Sequence, residues 1–229
     1  MWRGQPYRVL NEMNSKISFD CSAEEASAPI LKELEALVAK GHRSSVSAIE
    51  KQLHQLSLEG LAIRLLLERL AASKLPLKLA SAQSFIVHQS ESYTLRLNVW
   101  LPEPTKLTSV AMPVYDKYFS IGICHNHNFD FFTVNVLGPG YDTELKTTHD
   151  PIENFGVGDV ISFVSKETVT LTLGETLFVE ADTLFHTQFA PPSVSITVNL
   201  IPNTPAESIT NQFILDEDRM TIKSIIGGS

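Results

Sequence analysis

The sequence is poor in cysteine, in basic residues and in long apolar runs, and each scarcity argues against a class of protein. Two cysteines among 229 residues are too few for a disulfide framework and favour a reducing compartment. The 18 Lys and Arg residues are outnumbered by 26 Asp and Glu residues and form no basic cluster for a nucleic acid or an anionic membrane. No segment has the pattern of a signal peptide or a membrane-spanning helix. We therefore expect a cytoplasmic protein with no nucleic-acid or membrane partner.

The first third of the chain has a helical pattern. Ser22-Ala23-Glu24-Glu25 has the form of a capping box and predicts a helix that runs to about Lys40. Apolar residues with helical spacing follow from about Ser45 and again after Ser57. The sequence therefore predicts three helices, and its 43% hydrophobic content is enough for a sizeable core.

The pattern changes at Pro76, where short β-branched or aromatic runs separated by Gly, Pro, Asn and Asp replace the helical spacing. Many short strands without intervening helices are typical of an antiparallel sandwich or barrel. We expect a helical extension over residues 1–75, a β-barrel over 76–206 and a C-terminal tail over 207–229. The strand candidates include Leu77–Leu79, Ser84–His88, Tyr93–Leu101, Ser109–Pro113, Tyr118–Cys124, Asp130–Leu137, Asp159–Val164, Thr168–Leu173, Leu177–Val179, Leu184–Phe189 and Ser193–Leu200.

A pair of histidines, His125 and His127, lies within an apolar, β-prone run. Strand side chains repeat with a period of two, so both imidazoles leave the backbone on the same face. Neutral imidazoles are common ligands of transition metals. A third histidine, His186, follows a predicted turn at Ala181-Asp182 and can lie opposite the pair if the two strands are neighbours. Three imidazoles with open coordination positions are typical of a catalytic metal site.

These residues resemble the two motifs of the cupin superfamily, G-x5-H-x-H-x3-4-E-x6-G and G-x5-P-x-G-x2-H-x3-N. The resemblance implies a mainly β fold, a cupin-type jelly-roll barrel with an N-terminal three-helix extension. It also implies one divalent metal ion bound by His125, His127 and His186, and a homodimer paired through the barrel edges. The matching positions are Gly122, His125, His127, Gly138 or Gly140, Gly174 and His186.

The sequence departs from the first motif where cupins place a glutamate ligand. Phe131 and Phe132 stand there, and Asp130 should point to the opposite face from the histidines by strand parity. A site without the carboxylate is similar to the three-histidine branch of the superfamily, which uses Fe(II) and dioxygen. The resemblance therefore implies a non-heme iron dioxygenase that oxidises a small polar metabolite bound to the metal.

Two other functions remain open on the same residues. One is a redox-neutral lyase or isomerase that uses Zn, Ni or Mn as a Lewis acid, and the other is a cupin that binds a small ligand without converting it. Arg96 and Gln188 are the candidate catalytic residues. Arg96 can bind a substrate carboxylate if the polar face of its strand lines the barrel, and Gln188 shares the face of His186. His149, which precedes Asp150-Pro151, is expected to be an exposed loop residue, and an approach of its ring to the metal is the alternative.

Overall fold

The computed structural model describes residues 21–58, 60–71, 81, 83–103, 120–203 and 211–226. Within these ranges the chain is mainly β and forms two antiparallel sheets preceded by helices. The predicted boundary at Pro76 and the strand candidates Leu77–Leu79 and Ser109–Pro113 lie outside the described residues. Among the described helices, none combines the length and hydropathy that a membrane crossing needs.

The helical segment begins at the capping box that the sequence predicts. The Ser22 hydroxyl accepts a hydrogen bond from the Glu25 backbone N–H, and the Glu25 carboxylate accepts one from the Ser22 N–H, each at 3.1 Å. Both bonds satisfy backbone donors that the first helical turn leaves without partners. The segment comprises α1 (Ala23–Gly41), a 3-10 turn (His42–Ser45), α2 (Val46–Leu58) and α3 (Leu61–Ala71).

Eleven strands are found among the described residues, and they form a five-stranded and a six-stranded sheet. In the order of their pairing, the strands of the first sheet are β1, β2, β9, β4 and β7, and those of the second are β11, β10, β3, β8, β5 and β6. The strands are β1 (Ser84–Gln89), β2 (Tyr93–Trp100), β3 (His125–Asn126), β4 (Phe131–Leu137), β5 (Asp142–Thr148), β6 (Phe163–Thr170), β7 (Thr176–Val179), β8 (Phe185–Gln188), β9 (Ser195–Pro202), β10 (Gln212–Asp216) and β11 (Thr221–Ile226).

The two faces of the five-stranded sheet have different neighbours. Its apolar face packs on the helices in one core, to which β2 contributes Leu95 and Leu97. The alternate residues Arg96 and Asn98 line a cavity between the sheets. Alternation along a strand therefore separates the helical core from the cavity.

The strand boundaries differ most from the prediction in residues 120–124 and 159–173. The described part of the predicted strand Tyr118–Cys124 forms only a bridge at Ile121, because Ser120 and Gly122 on either side have φ values of 53° and 67°, which reverse an extended chain. The predicted strand Asp159–Val164 forms only a bridge at Val160 before β6 begins at Phe163, and β6 runs to Thr170, so the predicted strand Thr168–Leu173 is not a separate strand.

The sequence analysis did not detect β5 (Asp142–Thr148), because its residues are mostly polar and lack apolar alternation. Three of its polar side chains, Thr143, Lys146 and Thr148, are nevertheless buried. The segment predicted as a C-terminal tail contributes β10 and β11 to the six-stranded sheet.

Truncating a buried leucine should show how much the helical core contributes to stability. Leu34 is 0% exposed, so Leu34→Ala should lower the free energy of unfolding by about 2–5 kcal/mol through lost burial and a residual cavity. Leu67 is 57% exposed, and Leu67→Ala should change it by less than about 0.5 kcal/mol. Urea unfolding measures both values, and equal losses would contradict this account of the core.

Candidate metal site

Antiparallel pairing brings the three predicted histidines together. Strands β3 and β8 are neighbours, and their register places His125 directly opposite His186. The Nε2 atoms of these two rings lie 3.2 Å apart. His127 completes the group, and the candidate ligand nitrogens of the three rings all lie within 4.8 Å of one another. This group of three histidines could hold a metal ion.

Hydrogen bonds define which nitrogen of His125 is available to a ligand. Its Nδ1 lies 2.9 Å from the backbone carbonyl oxygen of Ile123, which can only accept. Nδ1 must therefore carry the proton, and Nε2 presents its lone pair toward His186. A carbonyl that fixes the tautomer of a ligating histidine in this way is a common support in metal sites.

Burial favours the neutral form of all three imidazoles, which is the form that binds a metal. Burial lowers the pKa of His125, and it lowers the pKa values of His127 and His186 well below their ordinary value. The neighbouring histidines lower the last two further, Arg96 adds to the effect at His127, and Lys146 adds to it at His186. Buried neutral imidazoles keep their lone pairs free for coordination.

The spacing of the His125 and His186 rings fits a shared ion. Two nitrogens, each about 2.1 Å from one metal, are about 3.0 Å apart at a right angle and about 3.4 Å apart at a tetrahedral angle. The 3.2 Å between the Nε2 atoms of His125 and His186 lies between these limits. In addition, Nδ1 of His127 is buried without a hydrogen-bond partner among the described residues, an arrangement that costs about 1–3 kcal/mol when nothing satisfies the atom.

Aromatic rings occupy the position where a carboxylate ligand would follow the histidine pair. The ring centroids of Phe129 and Phe131 both lie 4.8 Å from that of His127. Phe132 points to the other face of the sheet and stacks on Phe178 in the helical core. Asp130 is also directed away from the histidines and bonds to helix-side residues. Among the described residues, the ligand group therefore contains histidines alone.

His125 and His127 line a cavity of about 370 Å³ that is also lined by Arg96 and Gln188. Arg96 has no carboxylate partner among the described residues, and its Nε atom is buried without a hydrogen bond. Burial lowers the pKa of its guanidinium group. None of the described residues that line the cavity is acidic, although the chain carries a net charge of −8. The cavity is therefore lined by a partly buried cation that has no counter-charge among these residues.

Two polar residues that line the cavity with Arg96, Asn199 and Gln83, were not anticipated from the sequence. Asn199 lies opposite Arg96 in the pairing of β2 with β9, and Gln83 lines the same cavity. The side-chain oxygens of Asn199, Gln83 and Gln188 are buried without hydrogen-bond partners among the described residues. A small polar ligand could satisfy these atoms, and the alternation of polar and apolar residues in β9 was the available signal.

His149 lies away from this group. Its side chain is 74% exposed, and its Nδ1 is 3.5 Å from the carboxylate of Asp150. It belongs neither to the histidine group nor to the residues that line the cavity. The loop that carries His149 therefore does not bring its ring to the candidate metal site.

Comparison with known proteins gives distant structural matches only. No family model matches the sequence, and no curated protein matches it. The matching solved structures include cupin proteins. One is a cupin domain protein from Bordetella pertussis, with 13% identity and a TM-score of 0.32 over 56% of this chain and 99% of that chain.

Two further matches have enzyme names. A DMSP lyase from Ruegeria pomeroyi has 10% identity and a TM-score of 0.26, over 51% of this chain and 41% of its own. A hydroquinone 1,2-dioxygenase, solved with Cd²⁺ and 4-hydroxybenzonitrile, has 9% identity and a TM-score of 0.31, over 58% of this chain and 74% of its own. Similarity at this level does not transfer an activity or a substrate.

A charged cluster lies on the opposite face of the strands that carry His125 and His186. Lys146, which is 1% exposed, bonds to Glu217, and its Nζ lies 2.7 Å from Glu144 and 2.9 Å from the Thr187 hydroxyl. Cys124 lies beside it, 3.7 Å from Nζ to Sγ, and burial raises the pKa of this thiol. These contacts join β5, β8 and the end of β10 behind the histidines.

Replacing the Glu144 carboxylate with a neutral amide should make the free energy of unfolding less dependent on pH in the acid range. Burial by itself would raise the pKa of Glu144, but hydrogen bonds from Lys146 and Lys166 outweigh it and hold the pKa below 4.5. The carboxylate therefore stabilises the fold above that pH, and its contribution is lost as the pH falls through its folded-state pKa. In Glu144→Gln, the free energy of unfolding, measured by chemical denaturation at several pH values, should therefore fall less steeply as the pH is lowered than it does in the wild type. The exposed residue Glu167 provides the control Glu167→Gln, and the same reduction in pH dependence there would contradict the prediction.

Proposed function

We propose that this protein is a metal-dependent enzyme of cupin type that oxidises a small anionic metabolite, with Fe(II) held by His125, His127 and His186. The observation that carries the proposal is the group of three histidines whose candidate ligand nitrogens lie within 4.8 Å of one another, two of which, His125 and His127, line a cavity. When bound, ferrous iron would supply a site for dioxygen and for direct attachment of the substrate.

The histidines contribute geometry and charge. As a neutral set they leave the full charge of a divalent ion uncompensated, and none of the described residues that line the cavity is acidic and could balance it. Arg96 adds a second positive charge on the same cavity. Both features favour an anionic substrate over a neutral or cationic one.

Arg96 and Gln188 are the residues that we expect to orient the substrate. A guanidinium group can donate two parallel hydrogen bonds to a carboxylate, and Arg96 has no competing partner of that kind among the described residues. Gln188, on the strand of His186, hydrogen-bonds to Tyr141 and keeps its side-chain oxygen unpaired, so it can accept a hydrogen bond from the substrate. Phe129 and Phe131 cover His127 and limit the access of water.

Removing His186 should abolish metal binding. Protein expressed with iron and zinc supplements should carry about one equivalent of metal per chain, and His186→Ala should lose nearly all of it because two imidazoles hold an ion far less tightly. His149→Ala removes an exposed histidine outside the group and should keep the metal. Elemental analysis measures the content, and His186→Ala with full metal content would contradict the site.

The same protein tests the oxidative chemistry. Iron-loaded protein treated with nitric oxide, a surrogate for dioxygen, should give an electron paramagnetic resonance signal that His186→Ala lacks. Oxygen uptake during turnover is the second measurement. A reaction that proceeds at the same rate without air would replace the oxygenase with a redox-neutral lyase or isomerase that uses Zn, Ni or Mn as a Lewis acid.

Ligand binding should depend on the charge of Arg96. In thermal-shift measurements on metal-loaded protein, small carboxylic acids of two to six carbons should stabilise the fold more than their uncharged amides do. Arg96→Met should reduce affinity for the acids by about 10–100-fold, since a hydrogen bond to a charged group contributes about 1.5–3 kcal/mol. Arg96→Lys keeps the charge and should lose less. Equal stabilisation by acids and amides would contradict an anionic substrate.

A further inference from the structure

Asp130 connects the helical segment to the turn that precedes the third histidine. It is only 5% exposed, and it follows the histidine pair on the face directed away from the cavity. One carboxylate oxygen accepts hydrogen bonds from Arg43 Nη2 at 2.9 Å and from the Ala181 backbone N–H at 2.7 Å. The other oxygen lies 2.7 Å from Arg43 Nε and 2.5 Å from His42 Nε2. One side chain thus joins the 3-10 turn after α1 to the turn between β7 and β8.

The turn that Asp130 holds also forms hydrogen bonds to the segment that carries the histidine pair. The backbone N–H of Asp182 donates to the carbonyl oxygen of His127 at 2.9 Å. Its carboxylate accepts a hydrogen bond from the Asn126 side chain at 3.2 Å. Four residues after Asp182, the chain reaches His186. The position of this turn therefore affects both histidine segments.

The backbone at the turn needs outside support. Asp182 has a φ of 57°, a left-handed conformation that costs a residue with a side chain about 1 kcal/mol or more unless its surroundings fix it. The hydrogen bond from Ala181 N–H to Asp130 is next to this residue. Burial by itself would raise the pKa of Asp130, but Arg43, the Ala181 N–H and His42 outweigh it and keep the pKa lowered. The carboxylate thus stays ionised as an acceptor.

We infer that Asp130 is a positioning residue: by holding the Ala181–Asp182 turn against the helical segment, it sets the separation of His127 and His186 for one metal ion. This inference rests on the proposed metal site. Three ligands bind one ion tightly only when their nitrogens are placed to within about 0.5 Å, so a loosened turn should weaken coordination even though Asp130 contacts no ligand side chain. The helical segment thereby has a role in the site as well as in the core.

Cobalt binding to purified, metal-free protein tests the inference. Asp130→Asn keeps the size of the side chain, but replaces an acceptor oxygen with an NH₂ group facing donors. We expect the Kd for Co²⁺, measured by chelator competition well below the unfolding midpoint, to rise about 10-fold, the lower end of the range for outer-shell partners. The visible absorption of bound Co²⁺ should also change, because it reports ligand geometry. If Asp130 only stabilised the fold, Asp130→Asn would lower the unfolding midpoint and leave the Co²⁺ Kd and the absorption of bound Co²⁺ unchanged.

Glu180→Gln is the matched control. Glu180 pairs with the same Arg43 and lies next to Ala181, but its carboxylate is 44% exposed and does not accept the turn's N–H. The change removes one negative charge from the same cluster. We expect the Co²⁺ Kd to stay within about 2-fold of the wild-type value and the absorption to stay the same. An equal loss in Glu180→Gln and Asp130→Asn would assign the effect to charge and overturn the inference.

Arg43→Gln provides a second variant if Asp130→Asn does not fold. The Arg43 side chain is 55% exposed, and its loss removes two hydrogen bonds to Asp130 while leaving the bond to Ala181. A weaker Co²⁺ affinity than wild type supports the inference, and an unchanged affinity overturns it. Wild-type protein that fails to bind Co²⁺ would overturn the metal site itself. Tight binding by the wild type and by Asp130→Asn alike would overturn only the role of Asp130.

Discussion

The antiparallel pairing of β3 with β8 is the constraint on which the candidate site depends. It places His125 opposite His186, two residues that are 61 positions apart in the chain. Strand β3 is only two residues long, so its position comes from its neighbours β8 and β10 rather than from its own propensity. The Ile123 carbonyl and the packed phenylalanines then fix the orientation of the rings.

Burial gives the site its chemical character. Removing three imidazoles from water disfavours their charged forms, and this keeps the lone pairs available. Arg96 lines the same cavity and is partly buried there, and its guanidinium stays charged with no acidic residue among the described residues of the cavity wall. A cavity with ligand nitrogens, a cation and unpaired amide oxygens is complementary to a polar anion.

The sequence predicted those features that depend on local spacing. The capping box at Ser22, the shared face of His125 and His127 and the outward direction of Asp130 all follow from short-range pattern and parity, whereas His186, 61 positions away, was assigned through the resemblance to cupins. It missed β5, because its polar residues pair with charged partners that are distant in the chain, Lys166 on β6 and Glu217 directly after β10. The turn at Ser120–Cys124 was also missed, since positive φ at a serine has little sequence signature. Contacts such as Asp130 with Arg43 join positions 87 residues apart and leave no local pattern.

The side chains of residues 129–132 point alternately to the two faces of the sheet, so one short segment contributes both to the cavity and to the attachment of the helices. Phe129 and Phe131 face the cavity and cover His127, whereas Asp130 and Phe132 face the helices. The carboxylate of this segment is thus a structural acceptor, because the alternation that points the phenylalanines inward must point Asp130 outward. A one-residue shift in register would exchange these roles and place a negative charge beside the histidines. The neutral ligand set and the attachment of the helical segment are therefore consequences of the same register.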